Sequence, residues 1–167
     1  MPNWCANYVT FSGAHVAKVD KLFEQLMDEQ VNSGGGVRPT WEACDKHDVR
    51  YMFDIENHGN HSYRFDTKWA PSLALLMMIG RRFKLGFITR WDECGNGIYG
   101  KAVYDPTMFD ILMIADGSGI NFRYDEEKEA YIYNGEEYDS EYDFIDDAID
   151  KLVMRPISKD QVFRESN

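Results

Sequence analysis

Cys44-x-x-His47 and His58-x-x-His61 are the sharpest chemical signal in this chain of 167 residues. One thiolate and three imidazoles are donors that tetrahedral zinc accepts, and each pair has the close spacing of a zinc knuckle. Three of the four histidines fall in these two pairs. Short Cys/His matches also arise by chance in polar turns, so exposed loop histidines are the competing reading. Cys5 and Cys94 are candidate nucleophiles, which would need a nearby base or a helix N-terminus to lower their pKa. Cys5 lies in a strand pattern, where a small buried side chain is the ordinary role, and Cys94 lies in a glycine-bearing turn. Loss of Met1 would expose Pro2, whose secondary amine can act as a base. The pairs Glu126-Glu127, Glu136-Glu137 and Asp146-Asp147 suggest cation binding. A calcium loop needs a glycine at its sharp turn, and Asp143 to Asp150 has none and follows a helical pattern. No catalytic residues are assigned, and the chemistry leans towards a non-enzymatic role.

The charge is unevenly spread. Residues 1–104 hold 12 acidic and 12 basic side chains, whereas residues 105–167 hold 17 acidic and 6 basic, so the net charge of −11 resides in the last third. Phosphates would be repelled there, which disfavours nucleic acid and favours a basic protein partner. No stretch approaches the ~20 apolar residues of a membrane span. The N-terminus has no basic region followed by an apolar core, so no secretory signal is expected. Three scattered cysteines suit a reducing cytoplasm rather than a disulfide framework.

The elements that must position these residues follow from periodicity. Cys5 to Gly13 alternates as a strand. Val16, Val19, Leu22, Phe23 and Leu26 recur at helical spacing over 15–30, and Asn32 to Gly36 ends that helix. Residues 37–48 show no period and read as an irregular insertion. Val49 to Ile55 and Ser62 to Thr67 are predicted strands about a turn at His58-Gly59-Asn60. Pro71 opens a helix running to about Phe83, apolar all round at its centre. Leu85 to Trp91 and Ile98 to Tyr104 form a predicted hairpin. Asp105-Pro106 predicts a short apolar helix through Ile114. Asn121–Tyr124 and Ala130–Tyr133 are a second candidate hairpin. Ser140 and Asp143 resemble a capping box before a helix with Phe144, Ile145, Ala148, Ile149 and Leu152 on one side. The tail after Pro156 is expected to be loosely ordered.

The order β-α-β-β-α-β-β over 1–104 predicts an α+β, ferredoxin-like antiparallel sheet with helices on one face. An acidic α/β extension, 105–167, would pack on or beside it. Met1-Pro2-Asn3-Trp4-Cys5-Ala6-Asn7 resembles the opening of the YubB-like, Api-type proteins of phages and plasmids. Asp54-Ile55-Glu56-Asn57-His58-Gly59, Thr67-Lys68-Trp69-Ala70-Pro71, and the hairpin from Asp92-Glu93-Cys94-Gly95 to Tyr99-Gly100 also fit that family's pattern. The likeness covers about 1–104, with no counterpart for 105–167. It implies a ferredoxin-like domain and a mobile-element setting, and no established activity.

The leading functional expectation is an interaction protein of a phage or mobile element. It would bind or inhibit a basic host protein, such as a nucleic-acid-binding or defence protein, through Glu136, Glu137, Glu141, Asp143, Asp146, Asp147 and Asp150. The second is a single-stranded nucleic-acid module stacking bases on strand aromatics among Tyr8, Phe53, Tyr63, Phe65, Phe87 and Tyr99. The third is a zinc module or zinc enzyme using Cys44, His47, His58 and His61; otherwise no cofactor is expected.

Overall fold

Side-chain alternation defines the first strand, β1 (Trp4–Ser12). Cys5, Asn7, Val9 and Phe11 are buried on one side, while Trp4, Tyr8, Thr10 and Ser12 are exposed on the other. The computed structural model describes residues 3–93, 96–108, 110–117 and 120–165. Helix α1 (Val16–Ser33) buries Val19, Leu22, Phe23 and Leu26. It ends at Gly34, whose positive φ of 65° lets its N–H reach the Gln30 carbonyl. The stretch expected to be irregular contains a short helix, α2 (Glu42–Lys46). Strands β2 (Phe53–Gly59) and β3 (Ser62–Lys68) form the expected hairpin, with β2 starting later than its alternation suggests. Helix α3 (Leu73–Phe83) buries every residue from Ala74 to Gly80 and carries Arg81 and Arg82 at its negative end.

Strands β4 (Gly86–Glu93) and β5 (Ile98–Tyr104) pair antiparallel, with Trp91 opposite Gly100. A Cβ on Gly100 would lie 2.2 Å from the Trp91 ring and 2.6 Å from the Ala115 carbonyl, so the indole requires glycine there. In the completed sheet the order β4-β1-β3-β2 reproduces the ferredoxin-like arrangement, with all its pairings antiparallel.

The acidic third adds to this sheet. The predicted helix through Ile114 is instead strand β6 (Ile111–Asp116), antiparallel to β5. Asp105 and Pro106 do start a turn, in which Met108 N–H bonds the Asp105 carbonyl, but Leu112 and Ile114 then alternate inward. A short apolar run fits either period, and the open edge of β5 selects the strand. The tail is ordered as well. Strand β10 (Arg155–Ser158) pairs with β6, and α5 (Lys159–Glu165) seats Val162 and Phe163 in the core. The full order is β10-β6-β5-β4-β1-β3-β2. Strands β7 (Arg123–Asp125), β8 (Ala130–Tyr133) and β9 (Glu136–Tyr138) form a separate small sheet.

Between the sheet and α1 and α3 lies an aromatic core. Phe23 stacks on Tyr63 at 3.9 Å between centroids, and Phe11 meets both Phe23 and Phe87. Helix α4 (Glu141–Lys151) packs on the opposite side. Its Phe144, Ile145 and Ile149 join Tyr99 of β5 and the aromatics of the small sheet in a second cluster. Helices therefore lie on both faces, although the ferredoxin-like pair is confined to one as expected.

Two polar residues, Asn7 and Thr67, are fully buried where β1 meets β3. Asn7 Nδ2 donates to the Cys5 carbonyl at 2.9 Å, to Thr67 Oγ1 at 2.9 Å and to the Phe65 carbonyl at 3.4 Å. Its Oδ1 accepts from the Ser72 N–H at 3.2 Å. Thr67 Oγ1 in turn donates to the Ala70 carbonyl at 2.7 Å. Asn7→Ala leaves several of these groups buried without partners. It is expected to lower unfolding stability by about 3 kcal/mol, read from urea denaturation. A loss below about 1 kcal/mol would show that the network is dispensable.

Candidate functional site

Helix α4 starts as its sequence predicts: Ser140 Oγ accepts from the Asp143 N–H and lies 2.8 Å from the Asp143 carboxylate. Its C-terminal end is clamped from below. Lys101 donates to the Asp150 carbonyl at 3.0 Å, and Arg90 donates to the Asp146 carbonyl and the Asp150 carboxylate, each at 3.1 Å. Cations at the last carbonyls of a helix also complement its dipole.

The seven acidic residues of the expected surface therefore divide. Asp146 and Asp150 are exposed but reach back to Arg90 of β4, beside the bonds that Arg90 and Lys101 make to the helix carbonyls. Glu141 accepts a hydrogen bond from the Tyr99 hydroxyl, so it faces inward. Asp147 pairs with Lys151 along the helix at 3.8 Å, and Glu137 pairs with Lys128, all of these side chains more than half exposed. Asp143 and Glu136 are exposed beside their local hydroxyl partners. Exposed pairs of this kind contribute little to stability, typically ~0.2–1 kcal/mol.

Beneath α4 a cleft of about 400 Å³ is lined by Tyr8, Arg90, Asp92, Tyr142, Ile145 and Asp146, among others. Burial pushes the Asp92 carboxyl up to about 6; nearby Asp146, Asp66 and Glu141 reinforce this, and Arg64 opposes it. Burial, followed by Asp92, likewise raises the Tyr8 hydroxyl above its usual range.

A second concavity, of about 340 Å³, lies towards the β2–β3 edge of the sheet, where β3 runs into α3. Asp48, Arg50, Tyr51, Phe53, Lys68 and Trp69 line most of it. Trp69 has φ of 72°, a conformation that bulky residues rarely adopt. Its N–H bonds the Asn3 carbonyl at 2.9 Å, and the Asn7–Thr67–Ser72 network fixes the loop on either side. The sequence pattern, in which Pro71 opens the helix, gives no sign of this groove. The available signal was a tryptophan placed between a strand and a helix, outside both apolar patterns.

The zinc set is not assembled. Cys44 is buried on α2, and burial raises its thiol pKa. His47 stacks on Phe163 with centroids 4.6 Å apart. His58 Nε2 lies 3.2 Å from Glu56, and His61 Nδ1 lies 2.8 Å from Asp20. The two pairs meet different parts of the fold, His47 against Phe163 of α5 and His61 against Asp20 of α1. Among the described residues no three His, Cys, Asp or Glu side chains gather as a metal site. Cys5 is buried, and burial, with Asp92 and Glu93, pushes its thiol up to about 12, the reverse of an activated nucleophile. Cys94 and Pro2 lie outside the described residues. Of the strand aromatics, Tyr63, Phe65 and Phe87 fill the core, Tyr99 packs under α4, Phe53 is half-buried against Trp4, and Tyr8 is exposed. Among the described residues no helix is long and apolar enough to cross a membrane.

A family model described as the ferredoxin-like domain in Api92-like protein matches residues 46–148. The chain belongs to this family. No curated protein and no solved structure matches it. The match continues beyond residue 104 into α4, so most of the acidic third does have a counterpart in the family, contrary to the narrower resemblance. Both the acidic helix and the groove strands β2 and β3 fall largely inside the matched span.

Asp92 sets a pH dependence. Its folded carboxyl binds a proton more tightly than the unfolded chain does, so it weakens the fold above about pH 6. That penalty fades as pH falls towards the ordinary carboxylate range. With solvent screening of a partly exposed group, Asp92→Asn is expected to gain about 1 kcal/mol near pH 7 and nothing near pH 4. Denaturation curves at both pH values check this; an equal gain at both would rule out the assigned cause.

Proposed function

We propose that this is a non-enzymatic interaction protein of a phage or other mobile element, acting in the host cytoplasm. Its acidic outer surface engages a basic host protein, including one whose surface ordinarily holds nucleic acid or serves in defence. The observation that supports this reading most is the mounting of α4. Phe144, Ile145, Ala148 and Ile149 are buried beneath it, and Arg90 and Lys101 pin its end. Its remaining carboxylates consequently face solvent at fixed positions beside those of β9. A rigid acidic surface speeds encounter with a basic one and mimics the charge of a phosphate backbone.

The internal pairing determines which residues test the idea. Asp146 and Asp150 secure the helix, so their replacement confounds docking with binding. Glu136, Glu137, Asp143 and Asp147 are exposed and make no contact with Arg90, so they can be changed without touching that attachment. A host protein captured on the full chain and then purified provides the second component. Changing these four to Gln or Asn is expected to slow its association about tenfold at low salt, with the difference shrinking as salt rises. Unchanged association kinetics, or complexes that persist in molar salt, would overturn the acidic-surface reading.

A further inference from the structure

We propose that the groove at Trp69 binds a nucleobase carrying a phosphate. Tyr51 is 47% exposed and Trp69 51% exposed, and Trp4, 44% exposed, stands beside them against Phe53 at 4.9 Å. Exposed aromatic area of this extent at one sheet end calls for a flat, apolar ligand face. The cations decide the rest of the ligand. Arg50 donates to the Lys68 carbonyl at 3.0 Å, and the Lys68 ammonium lies 5.3 Å from the Phe53 ring. Neither forms an ion pair among the described residues, in a chain with 29 acidic side chains against 18 basic. Two unneutralised cations flanking exposed rings in so acidic a protein complement an anion attached to a π system. Stacking on an aromatic ring combined with cationic contact to the phosphate is the usual recognition of a nucleotide unit.

Size limits the occupant. About 340 Å³ is at the small end of ligand pockets, enough for one nucleotide. A free nucleotide and the terminal nucleotide of a single strand present the same chemistry. Asp48 opposes the phosphate from the rim, where its side chain is 91% exposed and 3.9 Å from Arg38. The backbone of Trp69 supports the assignment. An exposed indole held at positive φ by a buried hydrogen-bond network is pre-organised for contact with something other than its own core.

Calorimetric titration of the full chain at ~150 mM salt tests this, using nucleoside 5′-monophosphates, the unphosphorylated nucleosides, inorganic phosphate and 5′-phosphorylated tetranucleotides. Monophosphates are expected to bind more tightly than nucleosides or phosphate alone. Tetranucleotides exceeding the monophosphates would identify a strand end as the source, and parity would identify the free nucleotide. Trp69→Ala is expected to weaken binding about tenfold or more, and Trp69→Phe by much less. Lys68→Ala should weaken the phosphorylated ligands selectively. Asp48→Asn, at an exposed position that leaves the fold intact, should tighten them, which guards against a misfolded Trp69 variant. No binding by any of these ligands at millimolar concentration, or binding indifferent to Trp69→Phe, Lys68→Ala and Asp48→Asn alike, would overturn the proposal. Phosphate alone matching the monophosphates would remove the stacking contact and overturn it equally.

Discussion

A single buried amide governs the assembly of the ferredoxin-like half. Asn7 is fully buried in β1, and its hydrogen bonds reach β1 itself, β3 and the backbone just before α3. An amide removed from water without partners costs several kcal/mol in an apolar surrounding. Only one register places Thr67 and the Phe65 carbonyl within reach while Val9 and Phe11 remain inside. A slip by one residue would move the whole apolar set to the other face and strand the amide. The hydrophobic residues supply the driving force for collapse, and Asn7 selects among the collapsed arrangements.

The acidic third is tied to the same sheet by different forces. Strands β6 and β10 extend it by backbone pairing, and Ile157, Val162 and Phe163 close one end of the core. On the opposite face α4 is held by an apolar stripe and by Arg90 and Lys101. An excess of carboxylates repels itself, which favours expansion. Sharing Asp146 and Asp150 with Arg90 of β4 relieves part of that repulsion at the point where the helix meets the sheet. The charge imbalance seen along the chain is thus smaller in space than in sequence.

What the sequence revealed follows from the range of each interaction. α1 and α3 were legible because periodic burial and their end signals are local. The hairpins β2–β3 and β4–β5 were legible because alternation and turns are nearly so. The strand β6 was not, since Ile111 to Ile114 fits both periods and only the edge of β5 decides between them. The four candidate zinc ligands are not brought together for the same reason in reverse: their spacing along the chain carries nothing of Phe163 and Asp20, which hold His47 and His61 in different places. The face of α4 was correctly oriented from its stripe, but its pairing with Arg90, 56 residues away at Asp146, was invisible. The groove joins residues near 50 to residues near 69, with Trp4 alongside, a conjunction created by the β1–β3 and β2–β3 registers.

The two surfaces lie on different strands, and the spacing determines whether they influence each other. α4 lies over β4 and β5, and the groove is at β3 and β2, with β1 between. Three strand spacings of about 4.8 Å put them ~14 Å apart. The Debye length is ~8 Å at physiological salt and ~30 Å at 0.01 M. In the cell the groove is therefore largely screened from the acidic helix, and local contacts from Arg50 and Lys68 prevail over the net charge. In dilute buffer the field of the acidic third reaches the groove and opposes any anion there. An anion site on this protein should thus show less of the usual gain in affinity at low salt, because attraction by the two nearby cations and repulsion by the distant carboxylates strengthen together. Charge counted over the whole chain argues against phosphate binding, whereas charge weighted by distance permits it at this one place.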